Sequence, residues 1–367
     1  MKKLLSLLLA SGLVFSLVAC GPKEETNTPE PEEPVVVEDT IEIALITDVG
    51  TIDDKSFNQG AWEGVLAYAE ENDKTYDYYQ PAEKTTEAYI DTIELAIEDG
   101  AEIVVTPGFL FEAAIYFSQT EWPEVHFVLL DAYPHSGDYA PAIEDNTTSI
   151  LYAENESGFL AGYAAVKDGY TKLGFMGGMA VPAVVRFGYG FVEGANYAAE
   201  EMGVEIEIDY TYLGTFGPGD EVQNKAAAWF TNGTQVIFAA AGGAGSSVMK
   251  AAEQNEGKVI GVDINQKGES ETVITSAMKG LSSSVEQTLS EFYNGTFPGG
   301  EMVVKGAALG GVSLPNDFER FTTFAQADYD AIFTVLVNGE YTFLTDSNSA
   351  VELLTTEFGA STVTIHE

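Results

Sequence analysis

Short apolar runs alternate with amphipathic helical patterns from Ile41 to about residue 309, and this alternation restricts the possible folds more than any other feature. Strands that are separated by helices indicate βαβ units and parallel sheets. The predicted strands are Ile41–Thr47, Tyr76–Gln80, Glu102–Thr106, His126–Leu130, Lys172–Met176, Glu205–Tyr212, Gln235–Ala239, Lys258–Val262, Thr272–Ser276 and Met302–Leu309. The predicted helices lie near Asn58–Glu71, Thr86–Glu98, Phe111–Thr120, Ser157–Lys167, Pro182–Glu201, Asp220–Asn232, Gly245–Asn255 and Ser282–Asn294.

These strands are too many for one small sheet, and the pattern restarts near Tyr152–Gly162. The sequence therefore predicts an α/β protein with two Rossmann-like lobes that face each other across a cleft. One long doubly wound sheet is the alternative, and it suits a chain of this length less well.

The N-terminus has the pattern of an export signal. Lys2 and Lys3 precede the uncharged, mostly apolar run Leu4–Ala19, which is short for a membrane span. Cys20 is the only cysteine and follows Leu17-Val18-Ala19, a pattern that resembles the cleavage box of bacterial lipoproteins. We therefore predict a signal peptide over residues 1–19 and lipidation of Cys20, with an ordinary signal peptide as the alternative. No disulfide can form in a chain with one cysteine.

Residues 20–40 are rich in Pro and Glu and poor in large side chains, so they are expected to form a disordered acidic tether. The whole chain carries 16 basic against 58 acidic residues, a formal net charge of −42. Such a charge repels nucleic acid, nucleotide phosphates and anionic lipid headgroups. It favours a ligand without phosphate.

The segment Thr47–Gln59 joins the first strand to the first helix. Ligands of open α/β sheets bind at the carboxyl ends of strands, where such loops lie. This loop offers a carboxylate (Asp48), an aromatic ring (Phe57) and a carboxamide (Asn58), which suit a neutral, polyhydroxylated, aromatic molecule. The same residue types also cap helices or pack in cores, and the loop alone does not decide between these roles.

Two further aspartates, Asp131 and Asp263, end predicted strands and are therefore candidates for the same cleft. Gly242–Gly245 joins a strand to a helix, so its amides can meet a ligand oxygen or simply form a tight turn. The three histidines lack metal-ligand spacing, and Ser276–Lys279 matches Ser-x-x-Lys without the partner motifs of acyl enzymes. No cofactor and no metal site are expected.

Several segments together resemble the basic membrane protein family of bacterial lipoproteins, the nucleoside receptors of ABC transporters. The segments that carry the resemblance are Asp48–Asn58, Glu156–Gly162, Leu173–Met179, Arg186–Phe191, Val236–Gly243 and Val259–Gln266. The resemblance implies the type I periplasmic-binding-protein fold, in which three crossovers join the lobes. We place the crossovers near Asp145–Ile150, Asn265–Thr272 and Glu301–Gly306. The N-terminal lobe is then residues 41–147 with 267–303, and the C-terminal lobe residues 148–266 with 304–367.

The resemblance also implies a role for each candidate residue. Phe57 and Phe216 would stack on the two faces of a nucleobase, with Phe187 as the competing second ring. Asn58 and Asp131 would bind the base edge. The ribose hydroxyls would be held by Asp48, Asp263, Lys279 and the amides near Gly243. Asn265 stands where an acid is expected, so contacts from that turn are less certain.

The function implied is a lipid-anchored receptor on the extracytoplasmic side of the cell membrane. It would capture purine nucleosides (inosine, guanosine or adenosine) and deliver them to the permease of an ABC importer. It is expected to be a monomer, not an enzyme, and to bind no nucleic acid. The alternatives are a receptor of the same fold for a sugar or signalling molecule, a nucleoside hydrolase, and a regulatory protein.

Overall fold

The computed structural model describes residues 40–366. The predicted signal peptide, the lipidation site Cys20 and nearly all of the predicted tether lie outside the described residues. Within residues 40–366, no helix combines the length and the apolar character needed to cross a bilayer.

The first sheet has the strand order β11-β5-β4-β3-β1-β2, and all of its strand pairs are parallel. Its strands are β1 (Ile43–Ile46), β2 (Tyr76–Tyr79), β3 (Ile103–Pro107), β4 (His126–Leu130), β5 (Thr147–Tyr152) and β11 (Glu301–Lys305). Four helices pack on it: α1 (Phe57–Glu71), α2 (Thr86–Glu98), α3 (Glu112–Glu121) and α8 (Leu281–Tyr293). Strands β1, β3 and β4 are covered on both faces and read as continuous apolar runs, which is why these three are well predicted.

The second sheet has the order β12-β10-β9-β8-β6-β7-β13, and only the β10–β12 pair is antiparallel. Its strands are β6 (Lys172–Gly177), β7 (Ile206–Tyr212), β8 (Val236–Ala240), β9 (Lys258–Asp263), β10 (Val273–Lys279), β12 (Val312–Ser313) and β13 (Ser361–Ile365). Its helices are α4 (Glu154–Lys167), α5 (Pro182–Met202), α6 (Asp220–Thr231), α7 (Gly245–Asn255) and α9 (Gln326–Val337). Each sheet with its helices forms one lobe.

The chain passes between the sheets at three points: after β5, after β10 and after β11. The first and third passages are joined, since the Ala153 amide donates to the Lys305 carbonyl at 3.1 Å. The structure corrects two of the predicted positions. Residues 148–152 belong to the first sheet because β5 is buried between β4 and β11, and β10 belongs to the second sheet because it pairs with β9. The crossovers therefore lie later than Asp145–Ile150 and Asn265–Thr272.

Helices α4 and α5 pack backbone against backbone. A Cβ atom added at any of four glycines would lie only 2.0–2.1 Å from a carbonyl oxygen of the facing helix. These glycines are Gly158 and Gly162 on α4 and Gly190 and Gly194 on α5. The close approach brings the first turn of α4 next to α5.

The C-terminal segment, whose α9 and β13 the sequence analysis did not predict, is held by a buried carboxylate on α5. Glu193 is 1% exposed and accepts four hydrogen bonds from this segment. The donors are the Tyr341 hydroxyl, the Leu344 amide, and the amide and hydroxyl of Thr345, at 2.6–3.0 Å. Both carboxylate oxygens of Glu193 are therefore paired.

Candidate functional site

Two aspartates at strand ends have left-handed backbones. Asp131 follows β4 of the first sheet with φ +61°, and Asp263 ends β9 of the second sheet with φ +65°. This conformation is uncommon outside glycine and costs free energy, although Asp tolerates it better than most residues. Such strain gathers where the position of a side chain matters for function. Both side chains point to one cation.

That cation is Lys279, the last residue of β10, whose side chain is only 3% exposed. Its ammonium donates to Asp131 Oδ2, and it lies 3.6 Å from Asp263 Oδ1 and 3.4 Å from Glu154 Oε1. One carboxylate comes from each lobe, and the third stands at the first crossover. Lys279 therefore lies at the centre of the cleft.

Glu154 opens α4 directly after the first crossover and is fully buried. Its Oε2 accepts a hydrogen bond from Arg186 Nε of α5 at 2.5 Å, while its Oε1 faces Lys279. The backbone contact between α4 and α5 sets this geometry. Glu154 therefore joins the buried ammonium of Lys279 to the partly exposed guanidinium of Arg186.

Burial and charge shift the pKa values of this cluster. Burial raises the pKa of Asp131 to about 7, a rise that Lys279 opposes and Glu154 and Asp263 reinforce. Burial also raises the pKa of Asp263. Burial alone would lower the pKa of Lys279, but its three carboxylates raise it overall. The pKa of Glu154 falls, because Lys279 and Arg186 outweigh the effect of its burial. Lys279 is therefore charged at neutral pH, while Asp131 is poised between its two forms.

Some polar atoms of the cluster are not satisfied. Asp131 Oδ1, Glu154 Oε1 and the Tyr152 hydroxyl are buried and make no hydrogen bond within the described residues. An unpaired buried polar atom costs about 1–3 kcal/mol, so native proteins rarely keep one without a purpose. Asp131 Oδ1 is an acceptor that can receive a hydroxyl or N–H donor from a ligand, whereas Glu154 Oε1 already faces the Lys279 ammonium at 3.4 Å.

Three aromatic rings surround the ammonium of Lys279. The ring centroids of Phe57, Phe187 and Tyr152 lie 4.8, 5.2 and 5.8 Å from its Nζ atom. Phe57 is half-buried at the start of α1, whereas Phe187 is 2% exposed and packs edge-on against Phe238. Phe57 is therefore the ring that a ligand in the cleft can reach.

Asp48 and Asn58 form the framework of the loop that carries Phe57. The side-chain amide of Asn58 donates to Asp48 Oδ1 at 2.9 Å and to Asp54 Oδ2 at 2.8 Å. Its Oδ1 atom accepts from the backbone amide of Asp48. Both donors of this side chain are thus already used. The geometry favours a structural role for Asn58 and leaves Asp48 Oδ2 near Gly108 and Phe57.

Phe216 and Gly243 lie together at the carboxyl end of the second sheet. The Phe216 carbonyl accepts a hydrogen bond from the Ala244 amide at 2.8 Å, and its ring packs over Gly178 and Gly242. The ring fills the space that a side chain at Gly178 would take, since a Cβ atom there would lie 2.3 Å from it, and the ring is half-buried. Asn265, in contrast, caps a 3-10 helix by accepting from the Lys267 amide.

The two lobes touch across the cleft at a few polar contacts. Ser56 of the first lobe donates its hydroxyl to Asp263 Oδ2 at 2.5 Å, and Gln266 of the second lobe donates to the Lys55 carbonyl at 2.6 Å. Lys55 also lies 3.9 Å from Glu269. The loop that carries Phe57 is therefore in contact with the strand end that carries Asp263.

Of the eight predicted ligand-binding residues, the structure brings four together: Phe57, Asp131 and Asp263 lie around the ammonium group of Lys279. Asp48 and Asn58 support the loop beside them, while Phe216 and Gly243 form a separate group. Sequence reasoning missed Glu154, Ser56 and Arg186 as members of the cluster. A carboxylate directly after the apolar strand β5 is the one signal that would have pointed to Glu154.

Within the part of the chain that the structure describes, no three His, Cys, Asp or Glu side chains are grouped to hold a metal ion.

Comparison with known proteins identifies the family. The family described as ABC transporter substrate-binding protein PnrA-like matches residues 41–334. An ABC transporter nucleoside-binding protein, BmpA of Lactococcus lactis subsp. cremoris, is 31% identical over 306 residues, which cover 77% of this chain and 83% of that protein. Basic membrane protein A1 of Borrelia garinii subsp. bavariensis is 28% identical over 347 residues, which cover 93% of this chain and 95% of that protein.

A solved structure shares the fold. The solute-binding protein of an ABC transporter system from Aeropyrum pernix K1 superposes with a TM-score of 0.74 at 22% identity, covering 86% of this chain and 97% of that one. This likeness confirms the predicted type I periplasmic-binding-protein fold. The match over residues 41–334 and the relative in Lactococcus lactis confirm the resemblance seen in the sequence. The chain belongs to the family of PnrA-like ABC transporter substrate-binding proteins.

Proposed function

We propose that this protein is a lipid-anchored extracytoplasmic receptor that captures purine nucleosides and delivers them to an ABC importer. The observation that carries the proposal is the buried ammonium of Lys279, with three carboxylates and three aromatic rings around it. The nucleoside-binding name of the relative in Lactococcus lactis supports the same ligand class.

The charges of the cluster favour a neutral ligand that is rich in hydroxyl groups. Lys279 and Arg186 are both paired with carboxylates, so a phosphate would have to displace a carboxylate to reach either cation. A ribose hydroxyl both donates and accepts. It can therefore accept from Lys279 while it donates to Asp131 or Asp263. Insertion between these groups would satisfy the unpaired oxygen of Asp131.

The aromatic end of the ligand would lie on Phe57. A nucleobase presents a flat face to this half-buried ring, and stacking adds about 1 kcal/mol beyond the burial of apolar area. Phe216 is the proposed second ring, because it is half-buried, whereas Phe187 is enclosed in the core. Gly243, next to Phe216, would offer its amide to the ligand.

The base edge is proposed to meet Asp131. Since Lys279 contacts both Asp131 and Asp263, these residues serve either the two ends of a bound nucleoside or the sugar end alone. Asp131→Asn separates the two possibilities. If Asp131 binds the base edge, the variant will change the ranking of guanosine, inosine and adenosine. If Asp131 binds only hydroxyls, all three affinities will fall alike.

Closure of the lobes would carry the signal to the transporter. The contacts of Ser56 with Asp263 and of Gln266 with Lys55 join loops from opposite lobes, so they form only when the cleft is shut. If only the closed form docks on the permease, the transporter receives only receptor that is loaded with ligand. A monomer suffices for this task.

The anchor is proposed to be a lipid on Cys20. Cys20→Ser should release the protein from the membrane fraction of its own host without changing its folding, because residues 40–366 hold both sheets. Wild-type protein found wholly in the soluble fraction would contradict the anchor.

Mass spectrometry of the small molecules that co-purify with the protein tests the ligand class directly. Calorimetry with inosine, guanosine and adenosine should then give tight binding, while hypoxanthine and ribose alone bind weakly because each engages half of the site. Binding of a free sugar without any nucleoside would overturn the proposal in favour of a sugar receptor. Release of free base during incubation would instead reveal a hydrolase.

A further inference from the structure

A chain of ion pairs, Arg186–Glu154–Lys279, runs from the partly exposed Arg186 of α5 to the buried Lys279 at the centre of the cleft. Arg186 Nε lies 2.5 Å from one oxygen of Glu154, and Lys279 Nζ lies 3.4 Å from the other. Glu154 stands at the first crossover and Lys279 at the second. The pair therefore joins two of the three points about which the lobes hinge.

The three carboxylates around Lys279 are not equivalent. Asp131 and Asp263 end strands that face the cleft, one in each lobe, where a ligand can reach them. Glu154 is 0% exposed, and its second oxygen is held by Arg186. A ligand that enters the cleft competes for Asp131 and Asp263, whereas Glu154 keeps its place beside Lys279.

We propose that Glu154 is a positioning residue. Its ion pair with Arg186 fixes the Glu154 carboxylate, which in turn holds the Lys279 ammonium at the cleft centre and so frees Asp131 for the ligand. This inference rests on the proposed function of the cleft. It explains why a fully buried carboxylate stands where no ligand atom needs to reach it.

Removing the charge of Glu154 should strengthen the contact that a ligand must break. Without Glu154, the buried ammonium of Lys279 keeps two counter-charges in place of three, and Asp131 becomes its closest remaining partner. A ligand that takes Asp131 then leaves Lys279 less compensated, which is costly in a buried site. The affinity for nucleoside should fall while the ring of Phe57 stays in place.

The charge of Glu154 also acts on the titration of Asp131. Asp131 is faced by Lys279 and by the negative charges of Glu154 and Asp263, with Tyr152 and Arg186 nearby. Burial raises the pKa of Asp131 to about 7, and Glu154 contributes to that rise. Replacing Glu154 by a neutral residue should therefore lower the pKa of Asp131. A packing role alone would not produce this change.

The test compares the wild type, Glu154→Gln and Glu156→Gln by calorimetry with inosine over about pH 5.5–8.5. Glu156, two residues further along α4, pairs with the Ala307 amide, which a glutamine can equally bind. We expect Glu154→Gln to bind about tenfold more weakly at pH 8, as suits the loss of one charged contact. We also expect the affinity of Glu154→Gln to change with a pH midpoint below that of the wild type. Glu156→Gln should match the wild type in both respects.

Two further measurements keep the outcome clear. Glu154→Asp keeps the charge but moves it away from Lys279, so this variant should bind inosine more weakly, while the pH midpoint assigned to Asp131 stays nearly unchanged. It replaces Glu154→Gln if that variant does not fold. Thermal unfolding of the empty proteins against pH reports the Asp131 midpoint without ligand. Equal affinity and an equal midpoint in Glu154→Gln would overturn the positioning role. A wild type that binds no nucleoside would instead overturn the proposed function, and the empty-protein midpoint would still decide whether Glu154 controls the cluster.

Discussion

Glu193 under the C-terminal segment and Asp131 in the cleft are both buried carboxylates, but their surroundings are opposite. Glu193 accepts four hydrogen bonds from its own chain, and its helical backbone is unstrained. Asp131 has a left-handed backbone, one unpaired oxygen and a pKa that burial raises to about 7. A carboxylate that the fold itself satisfies stabilises the fold. One that the fold leaves strained and unsatisfied is available to a ligand.

The largest effect is expected from breaking the satisfied carboxylate. Glu193→Ala leaves four donors without an acceptor and should lower the free energy of unfolding by roughly 3–5 kcal/mol. Chemical denaturation measures this loss. The exposed Glu200→Ala on the same helix is the control and should change stability by less than about 0.5 kcal/mol. Nucleoside affinity should be unaffected in both variants. A large loss of affinity in Glu193→Ala would show that Glu193 also serves ligand binding and not the fold alone.

Phe57→Ala extends the comparison to the aromatic rings. We expect it to weaken nucleoside binding by roughly 2–4 kcal/mol, since a buried aromatic anchor is lost from the site. The empty protein should melt almost normally. Phe187→Ala is the contrasting variant, because its buried ring lies in the core and its loss should destabilise the empty protein by roughly 3–5 kcal/mol. If Phe57→Ala unfolds easily yet binds normally, Phe57 belongs to the core and not to the site.

Asp263→Asn tests the strained carboxylate of the second lobe. Asparagine tolerates the left-handed backbone, so the change removes the charge without adding strain. Nucleoside affinity should fall by about 2 kcal/mol, as expected for a lost charged acceptor. The stability of the empty protein should change little. Calorimetry that finds equal affinity of the wild type for hypoxanthine and inosine would show that no ribose contact exists to be lost.

The most gradual effect is a dependence of the free energy of unfolding on pH in the empty protein. The folded state holds a proton on Asp131 up to about pH 7, whereas the unfolded chain releases it near the ordinary pKa of Asp. The stabilising contribution of that proton is therefore complete below the unfolded pKa and is lost as the pH rises through about 7. The free energy of unfolding of Asp131→Asn minus that of the wild type should increase over this range, by roughly 1 kcal/mol for each pH unit between the two pKa values. Thermal unfolding at each pH measures this difference. A difference that stays constant with pH would show that Asp131 is ionised throughout.

Site residues whose position follows from the local strand and loop pattern could be predicted from the sequence. The roles of Asp131 and Asp263 came from the family resemblance, and their positions at strand ends, where ligands of parallel sheets bind, support those roles from the strand pattern. For Asn58 the residue type left two roles open, since a carboxamide can bind a ligand or close its own loop with equal chemistry. The structure shows the second arrangement.

The Glu154–Lys279 contact could not be predicted in this way. The two residues lie far apart in the chain and meet only because two crossovers run side by side. Strand β5 was mistaken for a crossover because Thr147, Thr148 and Ser149 make half of it polar, although all three are buried. Strand β13 was missed because the exposed threonines of an edge strand carry little hydrophobic signal.

The backbone contact between α4 and α5 has a mechanical consequence. Domain motions proceed either by bending at a few hinge residues or by the sliding of packed helices past one another, and sliding needs a layer of side chains that can change rotamer. Between the four glycines of these helices, carbonyl oxygens occupy the space that such a layer would fill. The second lobe is therefore expected to move as one stiff lever, with its bending confined to the three crossovers.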